Sequence, residues 1–191
     1  MLQSLCHTIL FKWLGWTAEV TVPQRQKCII CVAPHTSNFD FLLGELYYTA
    51  IGRRAGFLMK KSWFFFPLGA FFRHIGGIPV DRSRHGSLTD QLSAQAQQAS
   101  HFELAVTPEG TRKRVERWKR GFYFIAKKAN LPIQLFALDY KHKRIVCTRE
   151  LLPSEDFHAD WKAIMDYYKA FEGTERHPGL FQIEQAETYT P

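Results

Sequence analysis

The stretch Val32-Ala33-Pro34-His35-Thr36-Ser37-Asn38-Phe39-Asp40-Phe41-Leu42-Leu43 sits between two different hydrophobic periods. Before it runs Cys28-Ile29-Ile30-Cys31-Val32, short, apolar and β-branched, which reads as a buried strand. After it, from Phe39, the apolar residues take helical spacing. The segment is therefore the loop of a strand–loop–helix unit.

In one continuous helix, residues five apart are rotated by roughly 140°, so His35 and Asp40 could not meet. With His35 on the turn after the strand, Thr36 or Ser37 as N-cap and Asp40 in the first helical turn, the carboxylate can reach back to an imidazole nitrogen. Such a carboxylate would fix the tautomer and leave the other nitrogen to take a proton from a hydroxyl. Ser37-x-x-Asp40 is also a capping-box pattern. That alternative spends Asp40 on backbone N–H groups and leaves His35 as an ordinary loop histidine.

Working outward, strands alternate with helices along the chain. Leu2, Leu5, Cys6, Ile9, Trp13 and Trp16 recur at helical spacing, which predicts a short amphipathic N-terminal helix, with a strand at 18–22 after it. Residues 1–22 form a possible membrane-contact segment, and 23–191 the main domain. Further strands are expected at 57–59, 78–80, 102–106, 133–138 and 144–148, and helices at 87–99, up to Ala129, and 155–171. Pro79 points to a sheet edge. The aromatic run Trp63–Phe72 is expected in a helix reaching Ile75, either buried or facing an acyl groove or membrane. The expectation is one α/β domain with a mixed, largely parallel central sheet flanked by helices.

Composition narrows the setting. The chain has 191 residues, enough for a sizeable core, and a formal charge of +7, which suggests an anionic partner. No apolar stretch approaches the ~20 residues that a transmembrane helix needs. Four cysteines in this length make no disulfide framework and read as reduced thiols in a cytoplasmic setting. Cys28 and Cys31 have redox or zinc spacing, but within a strand they point to opposite faces and are assigned to the core.

Two more segments at strand ends carry candidate chemistry. Ile78-Pro79-Val80-Asp81-Arg82 ends an apolar run in two charges; this is either a solvated loop or an arginine at the mouth of the sheet. Thr107-Pro108-Glu109-Gly110-Thr111-Arg112 combines a glycine turn, a hydroxyl and a guanidinium, the makings of an anion cradle. The basic run Lys113–Arg120 is either a solvated face or a surface for a lipid headgroup or nucleic acid.

The three blocks PHTSNFD, GGIPVDR and PEGTR, in this order, closely resemble those of the glycerophospholipid acyltransferase family, from about Lys27 to Tyr140. The resemblance implies a glycerol-3-phosphate acyltransferase-like fold. It also implies His35 as general base and Asp40 as its orienting partner. Arg82, Glu109, Gly110, Thr111 and Arg112 would bind the acceptor's phosphate and shape the site. The implied reaction moves an acyl group from acyl-CoA or acyl carrier protein to the free hydroxyl of a lysophospholipid such as 1-acylglycerol-3-phosphate, with no cofactor and no metal. The implied location is peripheral on the membrane, with no nucleic acid partner. Pro34, Ile78-Pro79-Val80 and the reduced Leu131-Pro132-Ile133 depart from the family pattern. They bear on the acceptor more than on the chemistry, and a lyso-aminolipid is the alternative acceptor. A non-catalytic membrane- or nucleic-acid-binding module is the alternative from another class.

Overall fold

The structure, a computed structural model, describes residues 1–80 and 88–185. Seven strands form one sheet: β1 (Thr17–Val20), β2 (Lys27–Ala33), β3 (Gly56–Lys60), β4 (Gly77–Val80), β5 (Phe102–Val106), β6 (Ile133–Asp139) and β7 (Arg144–Leu151). Their order is β1-β7-β6-β2-β5-β3-β4. Every neighbouring pair is parallel except the β6–β7 hairpin. The helices are α1 (Leu2–His7), α2 (Asn38–Ala50), α3 (Leu68–His74), α4 (Leu88–Gln98), α5 (Gly121–Ala129) and α6 (Phe157–Lys169). The mixed, largely parallel sheet flanked by helices is the expected architecture.

β2 lies between β5 and β6, with both faces covered, which is why it reads as a continuous apolar run. Ile29, Cys31 and Ala33 join the core built with α4, α5 and α6. Cys28 and Ile30 face the other way, into a core with Leu10, Trp16, Leu43, Tyr47 and Tyr48. The two cysteines thus lie on opposite faces, and all four cysteines are free and buried. Burial pushes the Cys28 thiol up to about 12.

Pro79 lies on the edge strand β4, where a missing backbone donor costs no ladder bond. The N-terminal helix continues from α1 as a π-helical stretch, Thr8–Trp13. It packs on the domain through Cys6 and Leu10, with Trp16 buried just beyond its end, and leaves Leu2, Leu5 and Trp13 exposed.

The long aromatic helix expected up to Ile75 is not formed as one unit. A 3-10 turn at Lys61–Trp63 precedes an irregular stretch, and α3 begins only after Pro67. Pro67 lacks an N–H and would clash inside a helix, so it can only begin one. Trp63, Phe65, Phe66 and Phe71 are exposed, with Phe66 at 91%, which excludes the buried reading for these side chains.

Candidate active site

The parallel strands deliver their C-terminal ends to one edge of the sheet, where crevices of open α/β sheets form. β2 ends at Ala33 and hands on to Pro34-His35; β5 ends at Val106 and hands on to Thr107–Arg112; β6 ends at Asp139, followed by Tyr140. Because β2 pairs with both β5 and β6, these three loops are neighbours.

Ser37 is the N-cap of α2, in extended conformation, and its hydroxyl accepts from the Phe39 N–H at 3.1 Å. Asp40 closes the capping box, accepting from the Ser37 N–H at 2.8 Å, and the same oxygen, Oδ2, accepts from the Thr36 N–H at 2.8 Å. Oδ2 also lies 3.1 Å from His35 Nδ1. The two readings of Ser37-x-x-Asp40 are therefore not alternatives: the carboxylate that caps the helix also holds the imidazole. Asp40 is buried, which works to raise its pKa. The hydrogen bonds from His35, Tyr140 and the Ser37 N–H outweigh that, and the carboxyl titrates below its usual range. It is an anion at neutral pH, facing a ring nitrogen.

Glu109 approaches from the β5 loop. Its Oε1 accepts from the backbone N–H of His35 at 2.8 Å, while Oε2 is buried without a hydrogen-bond partner. Burial pushes this carboxyl up to about 8, its own and the His35 N–H groups working against the shift and the charge on Asp40 adding to it. Glu109 thus holds the loop carrying His35, its carboxyl shifted by burial toward the protonated form. Gly110 has φ +66°, a left-handed turn that favours glycine, and a Cβ there would press on Lys119 Cγ at 3.1 Å. The turn is closed by Gly110 N–H to the Thr107 carbonyl at 3.0 Å. Thr111 Oγ1 accepts from the Lys113 N–H at 3.4 Å. Exposed Arg112 donates to the side-chain carbonyl of Asn38, tying this loop to the first turn of α2. Arg82 lies outside the described residues.

Beside these groups opens a cavity of about 780 Å³. His35, Asn38, Asp40, Gly110, Thr111 and Arg112 line its polar end. Its walls are mostly apolar, from α2 (Phe41, Gly44, Tyr48), β3 (Phe57, Leu58, Met59) and the far side of the sheet (Phe136, Leu138, Ile145). Beyond Asp40, Glu45 is a second acidic residue of α2 on the cavity wall, and burial, opposed by Arg54, pushes its carboxyl up to about 7.

The basic run is not an open cationic face throughout. Trp118 is buried and its backbone N–H is held by the buried Glu184, which also takes Arg120 at 2.9 Å and Trp161 Nε1 at 3.0 Å. Arg114 reaches Gln182 at 2.5 Å. Sequence patterns did not single out Tyr140 or the 174–177 segment. Yet Tyr140 touches Asp40, and the His177 N–H donates to Thr36 Oγ1 at 3.3 Å. No local signal marks them, because 100 and 141 residues separate these pairs.

The fold and this strand-end site define an α/β enzyme class whose polar groups surround the mouth of an apolar cavity. Residues 17–138 match the Acyltransferase family model, more than half of the chain, and the chain belongs to that family. Among solved structures it is similar to the 1-acyl-sn-glycerophosphate (LPA) acyltransferase PlsC from Thermotoga maritima. The identity is 15% and the TM-score 0.60, covering 88% of this chain and 77% of that one, a likeness of fold. Comparison with curated protein sequences returns no match.

Proposed function

We propose that this protein transfers an acyl group from a thioester donor, acyl-CoA or acyl carrier protein, to the free hydroxyl of a lysophospholipid such as 1-acylglycerol-3-phosphate. The observation that carries the reading is the His35–Asp40 pair at 3.1 Å at the mouth of an apolar cavity. Nδ1 is committed to Asp40, so Nε2 is the nitrogen that accepts the hydroxyl proton. The deprotonated oxygen attacks the thioester carbonyl, the C–S bond breaks, and the leaving thiolate takes the proton back from the imidazolium. A thioester is already activated, so the reaction requires positioning and charge stabilisation rather than a metal, cofactor or covalent acyl-enzyme.

The cavity takes the acyl chain and the polar end takes the headgroup. Arg112 pairs with the acceptor's phosphate, a reading supported by its position on the cavity lining, and Arg82 is assigned the same role on the family resemblance. The membrane is the source of the acceptor: exposed Trp63, Phe65 and Phe66 and a formal charge of +7 suit an anionic interface. Among the described residues no helix is long and apolar enough to cross a membrane.

The test is thiol release by purified protein from acyl-CoAs of several chain lengths, with and without lysophosphatidic acid, beside His35→Ala. The expected result is acceptor-dependent release that falls at acidic pH and drops by about 10³-fold in the variant, within the range for loss of a general base. Release that survives His35→Ala would remove the general-base assignment.

A further inference from the structure

Tyr140 stands one residue beyond β6, outside the three motif blocks, and its hydroxyl donates to Asp40 Oδ1 at 2.5 Å. Asp40 Oδ2 meanwhile takes His35 Nδ1 and two backbone N–H groups. The carboxylate is thus held on both oxygens, and Tyr140 is the side chain across from the imidazole.

The ring that carries this hydroxyl is itself fixed. Trp16 meets it edge-on, with centroids 5.1 Å apart and planes at 89°. The Arg176 guanidinium lies 5.9 Å from its centroid and 4.2 Å over the Phe39 ring. The Tyr140 backbone N–H donates to the Thr174 carbonyl at 2.8 Å. Burial raises the phenol's pKa, and the hydrogen bond and charge of Asp40 raise it further, so it remains a donor at neutral pH.

We infer that Tyr140 is a positioning residue: acting through Asp40, it fixes the orientation of the His35 ring and sets how much carboxylate charge faces Nδ1. This rests on His35 as the base. The charged and titratable groups around Asp40 are His35 on its own loop, Glu109 from the β5 loop, Tyr140 after β6, and Arg176 from the C-terminal segment, which reaches Asp40 through Tyr140 and Phe39. Replacing Tyr140 by Phe removes its hydroxyl and leaves volume and net charge unchanged. Removing its hydroxyl concentrates charge on Oδ2 and strengthens the hold on Nδ1–H. The ring becomes more basic but less firmly placed.

The experiment compares Tyr140→Phe, Asp40→Asn and the double variant with wild type. Three readouts are taken: kcat and KM across pH, the NMR resonance of the His35 Nδ1 proton, and the melting curve. Tyr140→Phe is expected to lower kcat by about tenfold, the scale of one hydrogen bond to a charged group, with KM unchanged. The acid limb of kcat/KM moves up by about half a pH unit and the Nδ1 proton resonance moves. In the Asp40→Asn background, Tyr140→Phe adds no further loss, because its effect passes through the carboxylate. Should Tyr140→Phe fail to fold, Tyr140→3-fluorotyrosine keeps the donor and strengthens it, and the limb moves the opposite way.

Wild-type kcat, limb and resonance in a folded Tyr140→Phe, or losses that add in the double variant, would overturn the assignment. An active His35→Ala would instead remove the base reading on which it rests. The resonance is read without turnover, so the effect of Tyr140 on the His35–Asp40 pair is decided in either case.

Discussion

Among the carboxyl groups around the site, Glu109 departs furthest from its ordinary behaviour. The family resemblance places it in the block that binds phosphate and shapes the site, whereas its carboxyl is buried against the His35 backbone and pushed up to about 8. A carboxyl raised from an unfolded value near 4.5 holds its proton in the folded state while the unfolded chain gives it up. The folded state therefore binds more protons between about pH 4.5 and 8. The contribution is fully present below 4.5 and is lost as pH rises through 8, at about 1.4 kcal/mol per pH unit. Asp40 has the opposite sign: its depressed pKa stabilises the fold above the normal carboxyl range and is lost on acidification. Glu109→Gln keeps the acceptor for the His35 N–H and removes the titration. Urea unfolding at pH 5 to 8 should show a flatter stability profile in the variant than in wild type. Parallel profiles would mean that Glu109 is ionised in the folded protein.

At the scale of elements, α2 does two jobs, and its sequence shows both. Its first turn carries the cap and Asp40, and its cavity-facing side carries Phe41, Gly44 and Tyr48. A Cβ built on Gly44 meets nothing within 4 Å. Gly44→Ala should therefore stabilise the helix by about 1 kcal/mol, the difference in helix propensity, read as a raised urea midpoint. Gly44→Phe projects a ring into the cavity and should shift the preferred donor to shorter acyl-CoAs in the thiol-release assay. An unchanged chain-length profile would argue that the acyl chain lies elsewhere. The helix boundaries around α3 were less legible than those of α2. The run Trp63–Phe72 has the hydrophobicity of a buried helix, and the composition alone does not reveal that Pro67 divides it and leaves its aromatic side chains at the surface.

For the whole molecule, the exposed aromatics and the positive charge argue together. Replacing Trp63, Phe65 and Phe66 by Ser should reduce sedimentation with phosphatidylglycerol vesicles and leave the melting curve unaltered, since these side chains are exposed at 52%, 56% and 91%. Retained binding would shift attention to Leu2, Leu5 and Trp13, which are exposed on the N-terminal helix. Deleting that helix would not be a clean test, because Leu10 belongs to the core.

The α/β class, the edge position of Pro79, the burial of Cys28 and Cys31 and the strand-end placement of His35, Asp40 and the Glu109–Arg112 loop were all legible in the sequence. Each follows from short-range rules: period two against period three, a cap residue three before a carboxylate, a proline without a donor. Tertiary structure alone decided that Asp40 serves the helix and the histidine at once, that Glu109 is a buried acid on the His35 backbone, and that Tyr140 and the 174–177 segment close the site. Those facts depend on β2, β5 and β6 lying side by side, a pairing between segments distant in the chain. Local periodicity identifies the strands but does not set their order. That order is set by which faces can be buried together, and it brings the catalytic candidates within hydrogen-bonding distance.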